Sequence, residues 1–536
     1  MSWLYQSPAV SFDAGFESGN LASAERVAEF EYDLFIQPDH QTSTRLWFYF
    51  RCSQVPISLP IVFNIIGISK TKTTYTTQQR ILVRSTSRTK WQRMPQPQQF
   101  YTTSTKHKCY TSTPVLSFVF QFDRQEEYFF AFGYPYTYSM LQKFITRIQD
   151  HQLPFVSIET LGLSFQQRQI SLINIGRPLL ARYKNESKPS QQHTVLITAR
   201  CHSGEFPGSY VCHGILEYLM SNNPKAKFLR QNIIFKIIPM INVDGVMNGF
   251  YRTNANGFDL NRNFFDPPAS CPEAMLIKNL FESLVGPTPE QDTYAFESNF
   301  TNTMLLELAQ SLNLVTDQIE YETPQERANS SNSTRSDTNR PVNSQQKQRL
   351  QTPAKKPPIP IIIAKPQQPS TNSCQTKLDF VIDLHSHSNI AGGFLFLNPD
   401  SGVFNRQKRT FCEQVFPALL AKNCSTFNSL NSSFKESKNT REGSLRRAFM
   451  NIAKDKLTDE APYVYCLEVS NSHGPDPKEG GKGVLKQMQN EDSDADQEDE
   501  IDEQENYVAY TPEKYMTIGE KICDSLYDIY SQIFKQ

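Results

Sequence analysis

His202 and Glu205, in the stretch Ala199-Arg200-Cys201-His202-Ser203-Gly204-Glu205, stand three apart where a β-branched run, His193 to Ala199, gives way to apolar residues at helical spacing, Val211, Ile215, Leu216 and Leu219. An imidazole at a strand end and a carboxylate in the first helical turn can converge on one point, and both are zinc donors. With nine His in the chain, one such triplet arises by chance in about half of comparable sequences, so the pair needs partners. His385, closing the run LDFVIDLHSHS, offers a second imidazole. Asp383 is placed to act as an outer carboxylate, and His387 to orient or substitute. Asp244 follows another apolar run and is a further candidate ligand. Two His, one Glu and an open position describe a catalytic rather than a structural zinc site.

Other chemical groups follow in the chain. Tyr251-Arg252 and Asp259-Leu260-Asn261-Arg262-Asn263 come after the loop Asn242-Val243-Asp244-Gly245. Two arginines near a metal can divide the work, one polarising a carbonyl and stabilising its oxyanion, the other gripping a carboxylate through two hydrogen bonds. Glu468 ends the run APYVYCLE, where a carboxylate facing the open metal position can take a proton from water. Arg441-Glu442-Gly443-Ser444-Leu445-Arg446-Arg447 reads equally well as a solvated turn or as a basic pocket wall.

The elements that must position these groups fall into two sets. From Glu31 onward, EYDLFIQPD, TRLWFYFRCS, PIVFNIIGI, RILVRST, VLSFVFQFD and EYFFAFGYP are short runs of strand formers bounded by Pro, Asp, Ser or Gly. They predict an antiparallel sandwich over 24–134, its aromatics forming a core, after a polar lead-in at 1–23. A helix over Pro135–Asp150, with Leu141, Phe144, Ile145 and Ile148 on one face, opens a second domain, 135–536. There ISLINIG, HTVLITA, NIIFKIIPMIN and LDFVIDLH are apolar strands alternating with helices such as 206–221 and 272–285, which predicts an α/β fold with a mostly parallel sheet covered on both faces. Sites in such sheets form at the carboxyl ends of the strands. Two Gln/Ser/Asn/Pro-rich or acidic inserts, about 318–377 and 474–506, read as disordered surface loops, and Thr511-Pro512 starts a closing amphipathic helix.

Composition narrows the classes further. The chain has 536 residues, 38% of them hydrophobic, and no run long enough for a membrane span. The N-terminus lacks the basic and apolar segments of a secretion signal. Ten scattered Cys without a CxxC pair predict reduced thiols in a cytoplasmic protein. Ten acidic residues between Glu491 and Glu505 conceal a basic body: with a net charge of −1 overall, the remainder carries +9. That balance suits an acidic protein partner, or is simply solvated surface.

The chain resembles the cytosolic carboxypeptidases, the tubulin-deglutamylating branch of the metallocarboxypeptidase superfamily. The likeness lies in FESGNL, LWFYFR, FGYPYTYSML, PMINVDGV, YR, DLNRN, YCLEVS and YTPEKYMTIG, in family order along the chain, and YCLEVS and REGSLRR look closest to the short members that trim long glutamate chains. The resemblance implies a carboxypeptidase A-like domain behind the β domain. It implies one zinc ion on His202, Glu205 and His385, with Glu468 as the base that activates water. It matches Arg252 to the carbonyl-polarising arginine, Asn261 and Arg262 to the pair that holds the terminal carboxylate, and Arg441 and Arg446 to basic residues facing an acidic side chain. It further implies glutamylated tubulin or other acidic-tailed proteins as partners, no nucleic acid or membrane, a monomer, and a cytoplasmic location on microtubules or cilia. Ser203 and Val243 replace prolines of the family form, which predicts less rigid loops, and Leu445 replaces a glycine. Tyr463 and Tyr465 are candidates for a substrate-capping tyrosine. An N-acyl-amino-acid deacylase, or a non-catalytic binder of tubulin on the same fold, are the alternatives.

Overall fold

Strand formers dominate the first quarter of the chain, and they pack face to face. The computed structural model describes residues 9–69, 79–95, 98–102, 113–176, 192–286, 304–314, 376–388, 391–398, 406–427, 432, 442–456, 461–475 and 507–534. Between Ser11 and Ala131 lie two five-stranded sheets. Their inner faces meet in an aromatic core, where the Phe63 ring lies 5.2 Å from Phe118 and 5.7 Å from Phe130. Pairing is antiparallel except where Glu31–Phe35 runs parallel to Pro60–Ile66. The expected lead-in takes part as well: Ser11–Asp13 is an edge strand whose Phe12 packs on Tyr32 and Phe63. A three-residue strand with one apolar side chain is too short to show an alternating pattern.

The helix after the sandwich, α1 (Tyr138–Asp150), starts later than Pro135 because Thr137 caps it, its Oγ1 accepting from the Met140 N–H at 3.2 Å. Leu141, Phe144, Ile145 and Ile148 are buried as the spacing predicts. The second domain is built on β1 (Val156–Leu163), β2 (Gln169–Ile175), β3 (Gln192–Ala199), β4 (Ile233–Ile238), β5 (Thr376–His387), β6 (Gly393–Phe396) and β7 (Tyr463–Ser470). Their order across the sheet is β1-β2-β4-β3-β5-β7-β6. The central four are parallel, and the outer pairings are antiparallel. Every residue of β3 from Thr194 to Ala199 is buried, which is why its sequence is uniformly apolar or β-branched rather than alternating.

Helices α2 (Phe206–Met220), α3 (Pro272–Leu284), α4 (Arg406–Asn423), α5 (Leu445–Lys456) and α6 (Pro512–Ile533) cover this sheet. On α6, Tyr515, Ile518, Ile522, Leu526 and Ile529 are buried, the face expected from their spacing. The first expected insert lies outside the described residues except for its last two, which begin β5. The second follows the strand His473–Pro475 and ends at Tyr507–Ala509, the two pairing as a separate two-stranded sheet; 476–506 lie outside the described residues. Among the described residues no helix is long and apolar enough to cross a membrane, and eight cysteines are buried free thiols.

The helix that starts at the candidate metal loop is pinned by α6 at backbone contact. A Cβ on Gly214 would sit 2.1 Å from the Met516 carbonyl oxygen, and one on Gly519 would sit 2.1 Å from that of Val211. Gly519→Ala therefore gains helix propensity, up to about 1 kcal/mol, but must push the helices apart. The net effect expected is a loss of roughly 1–3 kcal/mol, read as a lowered Tm in thermal denaturation; a raised Tm would contradict the packing described here.

Candidate active site

Strand β3 does not run straight into α2. Arg200 takes a left-handed backbone, φ 62°, a conformation that a non-glycine residue adopts at a cost of order 1 kcal/mol. Its fully buried guanidinium braces the turn, donating from Nε to the Ser203 carbonyl at 2.7 Å and from Nη1 to Ser209 Oγ at 3.0 Å. Gly204 N–H donates to the Tyr251 carbonyl at 2.5 Å. The loop expected to be loose for want of a proline is thus held at Ser203 and Gly204 by hydrogen bonds.

This turn brings His202 and Glu205 against His385 at the end of the neighbouring strand β5. Glu205 lies between the imidazoles, its Oε1 2.6 Å from His202 Nδ1 and its Oε2 2.9 Å from His385 Nδ1. The Ser386 N–H also donates to Glu205 Oε2, at 3.0 Å. Each imidazole is fixed from behind: His202 Nε2 lies 3.2 Å from Asp259 Oδ1, and His385 Nε2 2.7 Å from Asp383 Oδ2. With Nε2 committed to a carboxylate, both Nδ1 atoms face inward. The three side chains are buried and can offer ligand atoms within 4.8 Å of one another. Two imidazole nitrogens and one carboxylate, each oriented by an outer partner, fit a zinc ion. Asp259 stands in the DLNRN motif, and the one local sign of its role is its position as the N-cap of a single turn, Leu260–Arg262.

Charge follows from this geometry. Burial works against protonated imidazoles, yet Glu205 outweighs it at His202, and Asp383, Cys466 and Glu205 outweigh it at His385, so both are held above the usual imidazole range. Asp259 is pulled down to about 2 despite its burial, by His202 and Arg252. Glu468, directly opposite His385 in the register of β5 and β7, is pushed up to about 7, chiefly by burial, with Glu205 adding to the effect and His385 opposing it. Its Oε2 is buried without a hydrogen-bond partner, which leaves a carboxylate oxygen able to accept a proton.

Asp259 also gathers the arginines. Arg252 Nε donates to Asp259 Oδ2 at 2.8 Å, and Arg262 Nε lies 3.9 Å from the same oxygen. Asn261 accepts the Leu445 N–H on Oδ1 at 2.9 Å, so its amide Nδ2–H remains for another acceptor, and Phe264 N–H donates to the Gly443 carbonyl at 2.9 Å. The loop before α5 is thereby laid along the DLNRN segment. Arg446 directs Nη1 to the Leu397 carbonyl and to Asn398 Oδ1, the latter at 2.8 Å; Arg441 lies outside the described residues.

Three expectations are corrected. Asp244 is not near the trio: the short helix Val243–Met247 turns it under the β1–β2 turn, where it accepts from Ser164 Oγ, the Gln166 N–H and Arg168 Nη1, each at 2.7 Å. His387 continues past His385 and packs edge-on against Phe394, with ring centres 4.9 Å apart. Tyr463 and Tyr465 are core residues. Tyr463 lies under the Arg409 guanidinium at 3.6 Å, and Tyr465 donates to the Glu413 carbonyl at 3.1 Å.

With this geometry in place, the comparisons with known proteins are specific. Residues 12–131 match the cytosolic carboxypeptidase N-terminal domain, and residues 141–396 match the zinc carboxypeptidase domain. The chain belongs to the cytosolic carboxypeptidase family. Cytosolic carboxypeptidase 6 of Homo sapiens is 33% identical over 462 residues, 86% of this chain and 71% of that one. The Mus musculus protein of that name is 32% identical over 464 residues, 86% and 67% of the two chains. In fold the chain is similar to a metallo-carboxypeptidase from Burkholderia cenocepacia, with TM-score 0.61 and 16% identity, covering 97% and 99% of the two chains. It is likewise similar to one from Pseudomonas aeruginosa, with TM-score 0.59 and 15% identity, covering 98% and 100%. This member of the cytosolic carboxypeptidases is a zinc metallocarboxypeptidase.

A metal taken up by the trio must displace the protons that Glu205, Asp383 and Asp259 hold on the imidazoles. Zinc affinity, measured by competition with a chromophoric chelator, should therefore rise with pH through the neutral range, with log K gaining up to about 2 per pH unit. His385→Ala should weaken binding and flatten that slope. An affinity independent of pH would contradict the ligand set.

Proposed function

We propose that this enzyme removes C-terminal glutamate from polyglutamylated tubulin side chains or from acidic protein tails, acting in the cytoplasm on microtubules, including those of cilia. The observation that carries the reading is the gathering of Glu468, Arg252 and Arg262 around the His202–Glu205–His385 trio. The +9 balance of the chain outside its acidic run favours acidic substrates by long-range attraction.

The chemistry divides among named side chains. Arg262 and the free Nδ2–H of Asn261 take the substrate's terminal carboxylate, which makes the enzyme an exopeptidase. Arg252, half-buried and firmly protonated because Asp259 and Glu205 outweigh the cost of burial, donates to the oxygen of the last peptide carbonyl as negative charge develops there. His202, Glu205 and His385 would hold the metal, and when bound, zinc polarises the same carbonyl and lowers the pKa of water. Glu468 accepts the proton of the attacking water on its unpartnered oxygen and delivers it to the leaving amine. Preference for an acidic over a neutral terminal residue would come from the basic residues of the 441–447 segment, Arg441 and Arg446, through charge-assisted hydrogen bonds to the glutamate side chain.

Zinc-loaded protein incubated with a short poly-glutamate peptide should release free glutamate one residue at a time. Amidation of the C-terminus should lower kcat/KM by roughly 100-fold or more, since one charge-assisted pair is lost. Glu468→Gln should lower kcat by about 100- to 10,000-fold while retaining zinc. Internal cleavage, equal turnover of the amidated peptide, or an active Glu468→Gln enzyme would overturn the proposal, and zinc-loaded protein with no turnover would favour a binder.

A further inference from the structure

Arg252 stands on a stretch, 250–259, that contains neither helix nor strand, and the sandwich domain grips that stretch. Asp39 follows the sandwich strand Glu31–Phe35 and is only 2% exposed. Its carboxylate accepts three consecutive backbone N–H groups of the second domain: Tyr251 on Oδ1 at 2.8 Å, and Arg252 and Thr253 on Oδ2 at 2.7 and 3.0 Å. The turn that carries Asp39 is itself closed, with Asp39 N–H donating to the Thr44 carbonyl at 2.9 Å and Thr42 N–H to the Asp39 carbonyl at 3.1 Å. Just upstream, Asn20 Nδ2 donates to the Gly249 carbonyl at 3.0 Å and Ser18 Oγ to the Val246 carbonyl at 2.7 Å. On its other side, the Tyr251 carbonyl receives the Gly204 N–H, one residue before Glu205.

A carboxylate removed from water is costly unless its lone pairs are filled, and three donors in a row fill them only when the peptide planes of all three residues are fixed. The cost of burying Asp39 thus enforces one backbone path through Arg252. The guanidinium is then located from two ends, by Asp39 at the backbone and by Asp259 at Nε. We infer that Asp39 is a positioning residue for the reaction: it sets the backbone from which Arg252 reaches the scissile carbonyl, so that the sandwich domain completes the active site of its neighbour. The inference rests on the role proposed for Arg252. Asp39 touches no reacting atom; Arg262 and Asn261 are held by other contacts, and a disturbance passed through the Tyr251 carbonyl to Gly204 would reach the metal ligand Glu205 and appear as lost zinc rather than as lost kcat at full zinc content.

The test is a double-mutant cycle on the full-length, zinc-loaded chain, with kcat and KM measured on a glutamate-terminated peptide. Asp39→Asn keeps the size but sets an N–H donor against backbone N–H groups. It should lower kcat by roughly 10- to 100-fold with KM within about 3-fold, zinc content unchanged. In an Arg252→Ala background the same change should cost less than about 2-fold, because the group it positions is gone. Asp39→Ser, which keeps an acceptor for one N–H, is the milder variant should Asp39→Asn not fold, and it is held to the same comparison. Equal losses in both backgrounds, or a loss confined to KM, would reduce Asp39 to a structural tie and overturn the inference while leaving Arg252 in place. An Arg252→Ala enzyme with undiminished kcat would overturn the reading of Arg252 and the inference with it.

Discussion

The structure depends on keeping a carboxylate and two imidazoles together where little of their surface reaches solvent. Glu205, His202 and His385 are each at most 5% exposed, and isolated charges there would be prohibitive. Asp259 and Asp383 make the arrangement tolerable by fixing the outer nitrogen of each ring. The rest of the second domain serves that requirement. Parallel strands β3 and β5 must end side by side, α2 must begin within a turn of β3, and α6 must hold α2 at backbone contact. Arg200 accepts a strained backbone and a buried charge, and burial brings its guanidinium down to about 10, because the turn it braces sets the distance between His202 and Glu205.

Asp259 links this centre to the substrate side. One carboxylate orients His202 through Oδ1 and Arg252 through Oδ2, so the candidate metal ligand and the candidate carbonyl-polarising group share a single anchor. Asp39 anchors the same arginine from the other domain. A carboxylate behind Arg252 and behind each of the two imidazoles is the recurring device, and it confines motion where a displacement of about 1 Å can cost 100-fold in rate.

Much of this was legible in the sequence, for identifiable reasons. Period announced α1 and α6, and the Thr511-Pro512 start announced where α6 begins, because a buried helical face and a Thr cap are local properties of a short stretch. His202, His385 and Glu468 were legible because each stands in or just beyond the last residues of an apolar strand, where a polar residue stands out, and Glu205 because it opens the helix three residues after His202. Asp383 shared that advantage, two residues before His385 on the same face of a strand. Asp259 was visible but carried no role, since its partner His202 lies 57 residues away. Asp39 gave no signal at all: its three donors are backbone groups more than 200 residues on. Asp244 misled because an acid after an apolar strand looks the same whether the chain then turns toward the cleft or beneath it. Tyr463 and Tyr465 belong to a strand buried on both faces, where an aromatic beside the motif is core.

The central claim is that these two imidazoles and this carboxylate hold the metal of a carboxypeptidase, although the thiols of Cys201 and Cys466 are close enough to interact electrostatically with His385. X-ray absorption at the zinc edge of stoichiometrically loaded protein tests it directly. The account predicts two imidazoles with oxygen and no sulfur in the first shell at about 2.0–2.2 Å, and one imidazole fewer in His385→Ala. A sulfur scatterer at about 2.3 Å, or an imidazole count unchanged in that variant, would contradict it.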